Sequence, residues 1–264
     1  MSSGFDPGVA HPARVYNFWP GGKDHYRADR EVAAQVIKQR PEVVGTAVAN
    51  RQFLGRVVRY LARCCGIRQF VDIGTGLPAP DHTHEVAQRA DVWSRVVYVD
   101  NDPLVMSHAR ALLVSSDEGC CDYLQADLRD TGNILREARR TLDFGQPVAV
   151  LLLAVLPFIP DADDPAGIVA ALTETMAPGS CVAISHLTAD FAPEAVGAGV
   201  NAYNGLVPTP VFPRSHTQVT RLFAGLSLVA PGVVPITSWR PDHAAAADRT
   251  ADLYGGVART SANR

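Results

Sequence analysis

The sequence predicts an α/β protein built on a mostly parallel sheet, and three observations predict it. From about residue 67 onward, apolar strand-like runs alternate with helical patterns, the mark of a parallel sheet with right-handed crossovers. One run, from Pro147 to Leu156, is apolar throughout, as a strand buried on both faces must be. The stretch Gln69-Phe70-Val71-Asp72-Ile73-Gly74-Thr75-Gly76-Leu77-Pro78 sets two glycines directly after a strand. That is the tight strand-to-helix turn at which open α/β folds receive ligands.

A chain of 264 residues allows one large α/β domain or one domain with an appendage. Hydrophobic content of 47% with 19% charged residues fits a soluble globular protein. The net charge of -3 offers no basic stripe to a nucleic-acid backbone. No apolar run reaches the roughly 18 residues that span a bilayer, and Met1 to Asp6 lacks the basic start and apolar core of a secretory signal. A cytoplasmic protein is expected. Five cysteines, two adjacent pairs and Cys181, show no C-x-x-C spacing, so neither a disulfide framework nor a metal site is expected.

In chain order, residues 1–10 read as a mobile arm and residues 11–66 as an N-terminal helical cap or lid. Ala13 to Arg30 is dense in aromatic, cationic and glycine residues, and Pro20-Gly21-Gly22 interrupts any helix there. Its aromatics either pack a helix pair onto the sheet or form a lid, with Tyr16, Lys23 and Asp24 closing over a cofactor. Helical patterns follow from Asp29 to Arg40 and from Val43 to Ala62, the second carrying Val48, Phe53, Leu54, Val57, Val58 and Leu61 at near-helical spacing. Arg51, in its middle, belongs either to a solvated face or to a ligand carboxylate.

Residues 67–264 form the core. Its first strand spans Gln69 to Ile73, followed by a helix from Thr83 to Ala90. The second strand, Arg95 to Asp100, ends at Asp100-Asn101-Asp102-Pro103, where Asp102 suits a helix N-cap and Pro103 the first helical position. The third spans Asp122 to Gln125 and leads into Ala126-Asp127-Leu128-Arg129. The fourth is the apolar run, ending in Leu156-Pro157-Phe158-Ile159-Pro160, and the fifth is Ser180 to Ser185. Residues near 190–216, rich in Gly, Pro, Asn and Tyr, read as a loop insertion over the site, with Tyr203, Asn204 and His216 in it. Pieces near Leu226 to Val229 and Tyr254 to Arg259 finish the sheet as an antiparallel hairpin.

Two cofactors compete for the glycine turn. Gly74, Gly76 and Ala79 satisfy the dinucleotide pattern formally, but Pro78 and Pro80 stand where amides should meet the pyrophosphate. A carboxylate two residues before the first glycine suits S-adenosylmethionine (SAM), which carries an ammonium and no phosphate, and Asp72 is that carboxylate. Asp100 is placed to accept from both ribose hydroxyls, and Asp127 from an adenine amino group. The candidate cofactor residues are Tyr16, Lys23, Arg51, Asp72, Gly74, Thr75, Gly76, Asp100, Asn101, Asp127 and Leu128. His186 and Asp190, after the fifth strand, are candidates for a general base, or else satisfy structural hydrogen bonds. The Asn/Asp-Pro-Pro-Tyr element common in enzymes that methylate base or glutamine amino groups is absent after the fourth strand, which argues against nucleic-acid methylation.

The chain resembles a bacterial family of SAM-dependent methyltransferases known as a domain of unknown function. The likeness rests on Ala13-Arg14-Val15-Tyr16-Asn17, Gly21-Gly22-Lys23-Asp24, Asp72 to Pro78, Val99 to Pro103, Ala126 to Arg129, Ser185-His186 and Tyr254-Gly255-Gly256-Val257. It implies a seven-stranded, Rossmann-like class I methyltransferase fold with an N-terminal helical cap. It also implies that Asp72, Gly74, Gly76, Asp100 and Asp127 belong to the SAM site. Members of the family often carry histidine just after the fourth strand, where this chain has Pro157. The expectation is methyl transfer from SAM to a small-molecule acceptor, with S-adenosylhomocysteine (SAH) as product, no nucleic-acid or membrane partner, and a homodimer as the assembly to consider. The alternatives are a SAM-binding protein that transfers nothing and an NAD-dependent oxidoreductase.

Overall fold

A strand with aliphatic residues at every position must be covered on both faces, and this requirement organises the molecule. The computed structural model describes residues 6–243 and 251–260. Its parallel strands are β1 (Gln69–Ile73), β2 (Arg95–Asp100), β3 (Cys120–Gln125), β4 (Ala149–Leu153) and β5 (Cys181–Leu187). Three more follow: β6 (Ser227–Leu228), β7 (Val234–Pro235) and β8 (Leu253–Arg259). The order is β3-β2-β1-β4-β5-β8-β6, with β7 also paired to β8. β8 runs antiparallel to β5, with Tyr254 opposite His186. Among the described residues the sheet therefore has eight strands where seven were expected. The extra one, β7, has two residues and ends in proline, too short to carry any alternation.

Successive residues of each strand feed opposite cores. Val71, Ile73, Val150, Leu152, Val182 and Ile184 face one side, with Ile134, Leu172 and Phe223. Phe70, Tyr98, Ala149, Leu151 and Ala183 face the other. That second face is covered by α3 (Val43–Cys65), whose Phe53, Val57, Val58 and Leu61 are fully buried, along with Trp239. Gly66, in the left-handed region at φ 68°, ends this helix. The helices α1 (Pro12–Phe18) and α2 (Arg27–Gln39) precede it, and α4 (Thr83–Gln88), α5 (Pro103–Leu112), α6 (Thr131–Ala138) and α7 (Pro165–Thr173) connect the parallel strands.

The segment near 190–216, expected to be a loop insertion, contains α8 (Pro193–Asn204) and ends where α9 (His216–Arg221) begins. Pro193 sits in the first turn, where a missing N–H costs nothing. Gly199 lies where α8 meets α2; a Cβ there would come within 3.2 Å of the Arg40 Cβ. Its glycine reflects close helix approach rather than a loop. Among the described residues, no helix is long and apolar enough to cross a membrane.

Candidate functional site

The chain leaves β1 to build β2 and β3 on one side, then returns to the other side of β1 as β4. Such a reversal opens a crevice at the carboxyl ends of the strands. One cavity follows this edge, lined at the β1–β2–β3 end by Asp72, Gly74, Thr75, Gly76, Asp100, Asn101, Asp127 and Leu128. At the β4–β5–β8 end it continues past Val155, Pro157, Leu187 and Leu253.

At the first end, local backbone geometry does most of the positioning. Gly74 and Gly76 hold φ of 72° and 68°, a region costly for other residues. A Cβ on Gly74 would lie 2.5 Å from Val155 Cγ2, so the turns after β1 and β4 touch only because this residue is glycine. The Gly74 N–H donates to Val99 O at 2.8 Å, and the Gly76 N–H donates to Asp100 Oδ2 at 3.0 Å. Asp100 Oδ1 accepts from the Asp102 N–H at 3.0 Å, so each Asp100 oxygen keeps a lone pair for a further donor. Burial raises the Asp100 pKa. Asp127 also lines the cavity and pairs with Arg129 at 3.1 Å.

Asp72 is 3% exposed and accepts from Thr83 Oγ1 at 2.6 Å. Burial pushes its pKa up to about 6, against the Thr83 hydrogen bond and the Arg51 charge, which pull it down. Arg51 and Thr75 line the same part of the cavity, and the Arg51 charge acts on Asp72. A carboxylate and a guanidinium side by side at the strand end fit a zwitterionic ligand. A dinucleotide fits poorly. The Ala79 N–H is taken by His82 Nε2 at 2.8 Å, and α4 starts only at Thr83, too late to aim its N-terminus at a pyrophosphate.

The N-terminal helices close over this end. His11 Nδ1 lies 3.1 Å and Arg14 Nε 3.4 Å from Asp102 Oδ2, while Asp102 Oδ1 caps α5 by accepting from the Leu104 N–H at 2.8 Å. Tyr16 donates to Ala47 O at 3.0 Å and accepts from Asn50 Nδ2; Asn50 Oδ1 in turn accepts from Ser185 Oγ at 2.7 Å. That chain joins α1 through α3 to β5. Gly22 has no room for a side chain, since its Cβ would clash with Asn17, and the Asp24 N–H donates to Asn17 Oδ1 at 3.1 Å. The Gly-Gly-Lys-Asp stretch thus folds the α1–α2 connection onto Asn17. Lys23 itself is exposed and lies outside the cavity residues, unlike the cofactor contact expected of it.

The two residues expected to be candidate bases also stand apart from the cavity. His186 is fully buried, with Nε2 2.8 Å from Arg214 Nη1 and Nδ1 2.8 Å from Leu187 O. Because a guanidinium only donates, Nε2 accepts and Nδ1–H donates, which fixes a neutral tautomer. Burial lowers its pKa to about 4, with the Arg214 charge acting in the same direction. Arg214 goes on to Leu156 O and Ile159 O, so this pair ties β5 to the segment after β4. Asp190 is exposed and accepts the His216 N–H at 2.8 Å at the start of α9.

Sequence reasoning set the segment that carries Tyr203 over the site but did not pick out the other walls of the far end of the cavity. Trp19, Val36, Phe158, Val196, Val200, Tyr203 and Val211 wall it, drawn from α2, α8 and three connecting segments. Arg40 and Asp252 are its ion pair, bidentate with both bonds at 3.0 Å. Apolar residues at helical spacing signal burial, and nothing in the spacing separates a wall from a core.

A family model described as S-adenosyl methyltransferase matches residues 1–261. A DUF574-family protein from Streptomyces avermitilis is 43% identical, covering 97% of this chain and 99% of that one, with a TM-score of 0.93. A candidate methyltransferase from Thermobifida fusca is 35% identical over 97% of this chain and 96% of that one, with a TM-score of 0.88. The mitomycin 7-O-methyltransferase MmcR, 19% identical over 97% of this chain and 74% of that one at a TM-score of 0.55, shares the fold. Among curated proteins, none matches the chain significantly. The chain belongs to the S-adenosyl methyltransferase family, SAM-dependent enzymes of the Rossmann-like class I fold.

Proposed function

We propose that the protein transfers the methyl group of SAM to a small-molecule acceptor bound at the β4–β5–β8 end of the cavity. The observation that carries this reading is the continuity of one cavity from the strand-end carboxylates to an apolar chamber walled by α2 and α8. SAM supplies a methyl group on a sulfonium, which a nucleophile attacks in line with the departing sulfur. Asp100 accepts from the ribose hydroxyls and Asp127 from the adenine amino group, with Asn101 and Leu128 beside the ring. Asp72 receives the methionine ammonium, and Arg51 the carboxylate. Gly74, Thr75 and Gly76 let the backbone approach, and α1, with Tyr16, excludes water.

Alignment supplies most of the acceleration, since holding two reactants in attack geometry is worth about 7–11 kcal/mol in favourable cases. His186 is not the base in this scheme, because its two ring nitrogens are committed to Arg214 and Leu187. A net charge of -3 and walled access favour a small acceptor over nucleic acid.

Calorimetric titration with SAM, SAH and NAD in parallel tests the cofactor end. Micromolar binding of the first two with NAD silent is the expected result; NAD binding alone would overturn the roles given to Asp72 and Arg51.

A further inference from the structure

A threonine inside a helix commonly spends its hydroxyl on its own backbone. Thr173 donates to Val169 O at 3.1 Å and Ala170 O at 3.0 Å, and Thr220 donates to His216 O at 2.8 Å. Thr83, the first residue of α4, has no helical carbonyl behind it. Its hydroxyl crosses to the end of β1 and donates to Asp72 Oδ2 at 2.6 Å. Thr83 is fully buried, so this bond is sealed from water. The residues around it are pinned as well. The Ala79 N–H donates to His82 Nε2 at 2.8 Å, the His82 N–H to Glu85 Oε2 at 3.0 Å, and the His84 N–H to the Tyr98 hydroxyl at 2.8 Å. Tyr98 is the register partner of Asp72 on β2.

A carboxylate this deeply buried needs support to stay charged. Burial favours its neutral form, and so does Asp100 on β2. The Thr83 hydrogen bond is the largest influence in the other direction, ahead of the Arg51 charge from α3. Tyr98 adds no charge of its own, because burial raises its pKa well above the ordinary value, with Asp72 acting in the same direction. Asp72 lines the cavity, and with Oδ2 held by Thr83, Oδ1 is the oxygen left for a ligand.

We infer that Thr83 is a positioning residue for the cofactor: its hydroxyl holds Asp72 Oδ2 so that the carboxylate stays charged and presents Oδ1 to the amino-acid ammonium of SAM. Thr83 acts through Asp72 and does not itself touch the ligand. The inference rests on the ammonium-binding role proposed for Asp72. It gives α4, otherwise a crossover between two strands, a part in cofactor recognition.

The test is calorimetric titration of the full chain across the pH range with SAH and with 5′-methylthioadenosine, which keeps the nucleoside but lacks the ammonium and carboxylate. The ratio of the two affinities removes any pH dependence of Asp100, which both ligands share. In the parent this ratio should fall on the acid side through about pH 6, as Asp72 takes up a proton, and on the alkaline side as SAH loses its ammonium proton. Thr83→Val should move only the acid limb, upward by about one pH unit, the shift that one hydrogen bond to a charged group implies. SAH affinity then drops about fivefold at pH 6, and the loss shrinks toward pH 8. Thr83→Ser, which keeps the hydroxyl, should restore the parent profile. Methylthioadenosine should bind parent and variants alike.

An acid limb that Thr83→Val leaves in place would overturn the inference. So would equal weakening of SAH and methylthioadenosine, or a Thr83→Ser profile like that of Thr83→Val, because the bond would then brace α4 against β1 and nothing more. If Thr83→Val does not fold, Thr83→Ala carries the same comparison, and failure of both to fold likewise makes the bond a brace. A parent that binds SAH with no acid limb, or does not bind it, would strike the role proposed for Asp72 itself. That failure shows in the parent, whereas failure of the Thr83 inference alone shows only in the variants.

Discussion

The two ends of the cavity are built by different means. At the β1–β2–β3 end, the functional groups are backbone amides and carboxylates placed within a few residues of a strand terminus: Asp100 accepts from the N–H of Asp102, two residues on, and from Gly76 in the adjacent turn. At the β4–β5–β8 end, the walls come from elements far apart in the chain, and Arg40 and Asp252 pair across 212 residues. Local geometry fixes the first end, and tertiary packing shapes the second. The first is therefore suited to one invariable ligand, and the second can be re-walled by changing side chains on α2 and α8 without disturbing the sheet.

The largest expected effect lies at the local end. Asp100→Ala should lower SAM affinity by at least about 100-fold, because hydrogen bonds to a charged group contribute about 1.5–3 kcal/mol each and two are assigned to the ribose. The turn also relaxes, since Gly76 and Asp102 lose their acceptor. Calorimetry measures the loss. Unchanged affinity would erase the contrast, because the strand-end carboxylate would then be a brace for the turn and nothing more.

This contrast also explains what the sequence revealed. The place of the Gly74-Thr75-Gly76 turn, Asp72, Asp100 and Asp127 at the sheet edge was legible because a short apolar run bounded by turn residues announces a buried strand, and the residues at and just past its end then fall at that edge. The N-cap role of Asp102 before Pro103 was legible for the same local reason. α8 was not, because Gly197, Gly199 and Asn201 read as loop composition until α2 is seen packed against Gly199. His186 looked available at a strand end; only the structure brings Arg214, 28 residues away, onto its Nε2. Walls and partners that depend on folding at a distance leave no spacing to read.

A second test separates the ends by pH. Asp72 has a folded-state pKa of about 6, above its ordinary value of 3.8. The folded state thus holds this proton more tightly than the unfolded chain. Its contribution to stability is fully present below pH 3.8 and is lost as pH rises through 6. Asp72→Asn should therefore melt higher than the parent at pH 8, by no more than about 3 kcal/mol in stability, and the difference should vanish near pH 4. His186 acts in the opposite sense: its pKa is lowered to about 4, so its contribution is lost as pH falls toward 4. It is common to both proteins and cancels in the comparison. The same variant should bind SAM about tenfold more weakly at pH 8, as loss of one buried charge pair with the ammonium implies. A variant no more stable than the parent at pH 8 would remove the burial penalty from the account of Asp72.

The smallest expected effect falls on Lys23. Its neighbours Gly21 and Gly22 shape the connection between α1 and α2, with Gly21 at φ 87° and Gly22 against Asn17, whereas the Lys23 side chain is exposed and outside the cavity. Lys23→Ala should change SAM affinity less than about twofold, the range of an exposed charge far from a ligand. Gly22→Val should do much more, since its Cβ would displace Asn17 from the turn it holds. If Lys23→Ala instead weakens SAM tenfold, the lysine reaches the ligand only after the 20–26 connection swings inward. The local end of the cavity would then also depend on a distant segment, and the division between the two ends would hold for the free protein but not for the complex.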